Sequence, residues 1–165
     1  MPRYSVCLVT LFWLAGCTPA PEAPEQILDM GHYVAHHSQE TSFEHVREDL
    51  QLALENRGLV IDATSYIHDM LERTGADLDM TTPIFTDAMA FSFCSALLSR
   101  RTMEADVHNI AFCPYVLTVY TPVDEPERVY VAYRRLPMTG DEASDAALAE
   151  VEALLDDIAR EALGL

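Results

Sequence analysis

The sequence IAFCPYVLTVYTPVDEPERVYVAYRR, residues 110–135, decides the fold class of this chain. Its first part is rich in β-branched and aromatic residues and predicts a long strand from Ile110 to Tyr120, in which Pro114 indicates an edge or a bulge. Turn-forming residues between Pro122 and Glu127 separate this strand from a second run, Val129 to Arg135. The spacing predicts that the two runs pair as a β-hairpin.

The segments on either side of the hairpin alternate between helix and strand patterns. Thr41-Ser42-Phe43-Glu44 is a capping box, and the apolar stripe that follows it predicts a helix that ends at Gly58. Apolar residues at helical spacing predict a long helix over 141–163. Further strands are predicted at 30–38, 59–64 and 84–91, and further helices at 65–73 and 92–103. The sum is an α+β fold, an antiparallel sheet with helices packed on one face and a C-terminal helix.

The N-terminus has the pattern of an export signal. Arg3 is the only charged residue among the first 21, and an apolar run from Val6 to Leu14 follows it. This run is too short to span a bilayer, which takes about 20 apolar residues, and a short apolar run after a basic residue is typical of a signal peptide. The run ends in Leu14-Ala15-Gly16-Cys17, which resembles the lipobox of bacterial lipoproteins.

The lipobox resemblance implies that residues 1–16 are removed and that Cys17 carries the lipid anchor. Residues 17–26 then form the lipidated start of a Pro-rich tether, and 27–165 form a single α+β domain. The chain would face the periplasm from the bacterial cell envelope, and Thr18 slightly favours the outer membrane. The alternative is an ordinary secreted protein in which the cysteine at this position is accidental.

The charge of the chain excludes several functions. There are 27 acidic residues against 10 basic ones, a formal net charge of −17, and every basic residue is an arginine. A surface of this kind repels nucleic acid and anionic lipid head groups. The absence of lysine excludes the phosphate-binding lysine of P-loop proteins and Schiff-base chemistry. The dispersed acidic residues also suggest a salt-adapted source.

Two cysteines remain after processing, Cys94 and Cys113. In an oxidising compartment a disulfide between them is the first expectation, with two free thiols or a functional thiol pair as alternatives. His108 is a weak metal candidate, because Met103 and Cys113 lie near it in sequence. His32 and His36 would lie about 13 Å apart on a strand, which is too far for one ion. No CxxCH motif for covalent haem occurs.

The hairpin also carries the only candidate ligand site. Its aromatic residues stabilise a sheet as cross-strand pairs, and they could instead line a site for an apolar or planar ligand. The adjacent Arg134-Arg135 doublet could contact an anion, or it could simply form ion pairs with acidic neighbours. The predicted ligand-binding residues are Tyr115, Tyr130, Tyr133 and Arg134.

Three local sequences resemble a known family. Ser42 to Arg57 is similar to the opening helix of the family called domain of unknown function 302. Phe93-Cys94 is similar to a dipeptide that precedes one of the helices of that family. Cys113-Pro114, with the strand after it, is similar to a strand of that family that bears Pro and Cys. The resemblance spans about Tyr33 to Leu136. It implies a small α+β domain with a curved antiparallel sheet that tends to pair as a homodimer, and it implies no activity.

No motif of a nucleophilic, metal-dependent or nucleotide-dependent enzyme occurs in the sequence. The prediction is therefore an envelope-anchored, non-catalytic domain that binds a small ligand or a partner protein, with no cofactor identified. One alternative is a redox, metal or haem-handling accessory protein that uses Cys94, Cys113 and His108. Another is a structural envelope protein that dimerises through its sheet edge.

Overall fold

The computed structural model describes residues 27–165, so the predicted signal peptide, Cys17 and the tether lie outside the described residues. The strands are β1 (Ile27–Asp29), β2 (Tyr33–Ser38), β3 (Val60–Tyr66), β4 (Phe85–Cys94), β5 (Tyr115–Pro122) and β6 (Val129–Arg134). The helices are α1 (Phe43–Asn56), α2 (Ile67–Asp77), α3 (Ala96–Ala105) and α4 (Glu142–Leu163), and Val107–Phe112 form a 3-10 helix before β5.

All strand pairs are antiparallel, and the six strands follow the order β1-β2-β6-β5-β4-β3. The predicted hairpin is confirmed, because β5 and β6 pair directly with Tyr120 opposite Tyr130. The hairpin lies in the middle of the sheet, with β2 on one side and β4 on the other. The predicted α+β fold class with a C-terminal helix is therefore correct.

The core lies between one face of the sheet and the helices α1 and α4. Alternation along each strand sends every second side chain to this face, and the apolar stripes of the two helices pack against it. The stripe predicted for α1 is confirmed, since all of its buried residues belong to that stripe. Fully buried members of the core are Leu50 and Leu54 on α1, Val151 and Ile158 on α4, and Phe93, Leu117, Val119 and Val131 on the strands.

The structure shifts several predicted boundaries. Val107–Phe112 form a 3-10 helix, so the strand predicted from Ile110 begins only at Tyr115. Pro114 precedes this strand, which is central in the sheet, and so marks neither an edge nor a bulge within it. Ser42 caps α1 by accepting a hydrogen bond from the backbone N–H of His45, so the helix begins one residue later than a box starting at Thr41 implies. Strand β4 continues to Cys94, where a helix from residue 92 was expected. Phe93 pairs with Tyr115 and is fully buried in the core, so tertiary pairing keeps this segment extended and α3 begins only after its cap, Ser95.

Within residues 27–165, no helix has the length and apolar character needed to cross a membrane.

Candidate ligand-binding site

The second face of strands β2, β5 and β6, called here the open face, bears an apolar cluster made only of strand residues. Ala35 and Ala132 are buried at its centre although neither belongs to the main core. The strand register shows which residues lie on the open face, because directly opposed residues on neighbouring strands point to the same side of the sheet. The residues of the open face are Tyr33, Ala35 and His37 on β2, Val116, Thr118 and Tyr120 on β5, and Tyr130, Ala132 and Arg134 on β6.

An aromatic row crosses this face near one end of the strands. The rings of Tyr120 and Tyr130 stack with centroids 5.1 Å apart, and Tyr130 stacks on His37 at 5.2 Å. Phe85 meets Tyr120 edge-on at 5.6 Å. The Tyr130 hydroxyl donates to Glu125, a contact that lowers the pKa of this carboxyl group. The row forms one wall of the open face.

A pocket of about 380 Å³ lies beside this row. Tyr33 and Tyr120 contribute aromatic walls, Thr118 and Ala132 form the floor, and Arg134 adds a charge. Burial raises the pKa of Tyr120 to about 12, so its hydroxyl stays protonated at neutral pH and can act as a donor. The pocket thus combines a mostly apolar lining with one cation, as small-molecule sites commonly do.

Arg134 differs from most other arginines of the chain. Of the nine arginines in residues 27–165, seven form an ion pair with a carboxylate, and only Arg73 and Arg134 do not. The side chain of Arg134 is exposed at the pocket. In a chain with 27 acidic residues, a guanidinium without a carboxylate partner at an apolar pocket is available to an external anion.

The structure separates the four residues predicted to bind a ligand. Tyr130 and Arg134 lie on the open face, whereas Tyr115 and Tyr133 point to the helix-covered face and are buried in the main core. The reason is strand parity, since Tyr130 and Tyr133 are three residues apart on one strand. The pocket is lined by Tyr133 and Arg134 but not by Tyr115 or Tyr130, and ligand binding by the four residues stays a prediction. Two partners that it did not include, Tyr33 and Thr118, complete the pocket.

Tyr133 belongs to a hydrogen-bonded cluster on the helix side that centres on Asp156 of α4. The Asp156 carboxylate accepts from the Tyr133 hydroxyl at 2.9 Å and from Arg160 at 2.6 Å, and the Nε2 atom of buried His36 lies 2.6 Å from it. Burial would raise the pKa of Asp156, but the hydrogen bonds from Arg160, His36 and Tyr133 outweigh burial and hold this pKa below its ordinary value. The cluster ties α4 to β2 and β6.

The predicted thiol pair is close but unbonded. The Sγ atoms of Cys94 and Cys113 are 3.4 Å apart and both cysteines are free. Ser99 Oγ lies 3.1 Å from the Cys113 sulfur. Burial, with the hydrogen bond to Cys113, raises the pKa of Cys94 to about 11, so this thiol is protonated at neutral pH and is a poor nucleophile.

The metal candidates are not brought together. Among the described residues, no group of three or more His, Cys, Asp or Glu side chains is arranged to hold an ion. His108 is exposed on the 3-10 helix, where its backbone N–H donates to Asp106. His36 instead pairs with Asp156.

The chain has two arginine doublets, Arg100-Arg101 and Arg134-Arg135, and three of these four arginines form ion pairs. Arg100 pairs with Glu104, and Arg101 pairs with Glu150 of α4. Arg135 bridges Asp29 and Glu152, so it joins β1 to α4. Ion pairing therefore accounts for every member of the doublets except Arg134.

A single antiparallel sheet with helices on one face and a pocket on the open face defines a small α+β domain. The chain belongs to the family described as Domain of unknown function DUF302, whose model matches residues 34–162. The match extends through most of α4, so the resemblance covers the C-terminal helix, contrary to the expected end at Leu136. Comparison with curated proteins gives no match.

A solved structure has the same fold. It is the crystal structure of an uncharacterized conserved protein DUF302 from Bacillus stearothermophilus, with a TM-score of 0.65 and 16% sequence identity. The similarity covers 79% of this chain and 98% of that one.

Proposed function

We propose that this protein is a lipid-anchored domain of the bacterial cell envelope whose open face binds a small, planar apolar molecule that carries a carboxylate. One observation carries the ligand proposal: Arg134 has no carboxylate partner among residues 27–165 and lies at an apolar pocket between two tyrosines. The tyrosine rings would stack on the apolar body of the ligand. The guanidinium would form charge-assisted hydrogen bonds with the carboxylate.

Binding of 2-naphthoate to the full-length protein, measured by isothermal titration calorimetry, tests this proposal. Arg134→Gln should weaken the affinity for 2-naphthoate about tenfold or more, since a hydrogen bond to a charged group contributes roughly 1.5–3 kcal/mol. The affinity for 2-naphthalenemethanol, which has no carboxylate, should change little. Arg73→Gln is the matched control, because Arg73 also lacks an ion-pair partner among residues 27–165 but does not line the pocket.

Equal affinity of the wild type and Arg134→Gln for 2-naphthoate would refute the proposal. A second copy of the chain is the competing occupant of the open face. In that case sedimentation equilibrium would show a dimer that persists at saturating 2-naphthoate, and the ligand proposal would fail in favour of the predicted homodimer.

The anchor is a separate part of the proposal and rests on the sequence Leu14-Ala15-Gly16-Cys17 after the short apolar run. Cys17→Ser should abolish labelling by radioactive palmitate and should move the protein out of the detergent phase on phase separation. Cys7→Ser is the matched control, because Cys7 lies within the predicted signal peptide and its loss should leave lipidation intact. Equal palmitate labelling of Cys17→Ser and the wild type would contradict the anchor.

The thiol pair supports a second candidate role in redox handling at the envelope. A separation of 3.4 Å between Cys94 Sγ and Cys113 Sγ leaves only a small movement before a disulfide can form. Formation releases two protons and two electrons, which the disulfide of an oxidising thiol oxidase would accept. Closing a loop between residues 19 apart should stabilise the fold by about 3 kcal/mol.

Intact mass and thermal melting test the thiol pair. Treatment with oxidised glutathione should lower the mass by two hydrogen atoms and raise the melting temperature, and dithiothreitol should reverse both changes. Cys94→Ser should show neither change. Alkylation of both thiols in protein isolated from the envelope without reductant would exclude a disulfide there.

A further inference from the structure

A second cavity of about 470 Å³ lies on the same side of the sheet as α1. It sits where the start of α1 passes the ends of β4 and β5, next to a register shift between Phe85 and Asp87. Asp87 opposes Thr121 across these strands. The cavity is separate from the Arg134 pocket, with which it shares no lining residue.

Two threonines of this cavity have buried hydroxyl groups without a hydrogen-bond partner in the described part of the chain. Thr121 is only 4% exposed and Thr41 is partly buried, and the Oγ1 atom of each is inaccessible and unpaired. Leaving a buried hydroxyl unpaired is unfavourable and is uncommon in folded proteins. A polar ligand in the cavity would supply the missing partner once rotation about χ1 turns the hydroxyl of Thr121 toward it.

The carboxylates that line the cavity restrict which ligands it can bind. Glu44 pairs with Arg47, but no hydrogen bond or ion pair within residues 27–165 engages the carboxylate of Asp87 or Glu127. Three carboxylates around one cavity repel an anion. Carboxylates accept hydrogen bonds and threonine hydroxyls both donate and accept, so the lining suits a ligand that is rich in hydroxyl groups.

We propose that this cavity binds a neutral carbohydrate. Sugar hydroxyls both donate and accept, so one ring can donate to Asp87 and accept from the hydroxyl of Thr121. The half-buried ring of Phe43, which begins α1, offers apolar surface to the carbon face of the sugar. The volume lies within the roughly 300–1,000 Å³ typical of small-molecule sites.

Saturation-transfer NMR with maltose, cellobiose and chitobiose, applied to the full-length protein, tests the proposal. At least one of the three disaccharides should give a saturable signal. Asp87→Asn should weaken its affinity about tenfold, the size expected for one hydrogen bond to a charged group. Asp62→Asn is the matched control, because Asp62 lies on the neighbouring strand β3, is exposed, and does not line the cavity.

The Thr121→Val variant distinguishes a hydroxyl that serves a ligand from one that is simply left unpaired in the core. Valine has the same shape but no hydroxyl, so this variant should melt at the same or a higher temperature while it binds the disaccharide more weakly. No saturable signal from any of the three sugars, or equal affinity in the wild type, Asp87→Asn and Thr121→Val, would overturn the proposal. Arg134→Gln should leave sugar binding unchanged. The carbohydrate proposal and the proposal for the open face can therefore be refuted separately.

Discussion

At the scale of single residues, the carboxylate of Asp156 holds three other side chains together. It is the common acceptor for His36, Tyr133 and Arg160. Asp156→Asn should lower the free energy of unfolding by about 2 kcal/mol, because His36 is 1% exposed and loses a charged partner. Urea unfolding monitored by circular dichroism measures this change. Asp157→Asn, at an exposed position of the same helix, is the control and should have little effect.

Asp156 should also make the free energy of unfolding depend on pH. The folded protein lowers the pKa of Asp156 below its ordinary value of 3.8, so the unfolded state binds a proton more readily than the folded state does. The stability contributed by this group is therefore fully present above about pH 5 and is lost as the pH falls through the folded pKa. Urea midpoints from pH 7 to pH 3 should fall more steeply for the wild type than for Asp156→Asn. Parallel curves for the two proteins would contradict this assignment.

At the scale of secondary-structure elements, the stability of α4 depends on its ends. Asp141 caps the helix by accepting from the backbone N–H of Ser144, and Gly164 ends it in a left-handed conformation with φ of 71°. Asp141→Ala should cost about 1 kcal/mol of unfolding free energy. Asp141→Asn should cost little, since asparagine caps nearly as well. Equal losses in both variants by chemical denaturation would show that the charge, and not the cap, stabilises this end.

At the scale of the whole molecule, the charge should make stability depend on salt. The chain carries 27 acidic residues and a net charge of −17, so far more carboxylates exist than arginines can neutralise. Repulsion among exposed carboxylates destabilises the folded state, and salt screens it over a distance of about 10 Å at 0.1 M. The melting temperature should rise as NaCl increases from 10 mM to 1 M. A flat or falling curve would mean that the exposed ion pairs, which salt weakens, dominate instead.

Local sequence patterns determined the elements of this fold. The alternating run after Pro114 and the run from Val129 both became strands, and the stripe that begins at Phe43 became a buried helix face. These patterns act over a few residues, because periods of two and 3.6 residues directly reflect which side of an element is buried. Where local preference and tertiary pairing disagree, as at Phe93, pairing with β5 prevailed.

Only the tertiary structure decided which side chains form the sites. Tyr130 and Tyr133 are close in sequence, yet the sheet places the ring of Tyr130 in the aromatic row of the open face and that of Tyr133 in the core. Arg134 and Arg135 are adjacent, yet only Arg135 reaches Asp29 and Glu152. The contact between His36 and Asp156 joins residues 120 apart. Local sequence determines the face of an element to which a side chain points, whereas its partners come from distant segments that meet only when the chain folds.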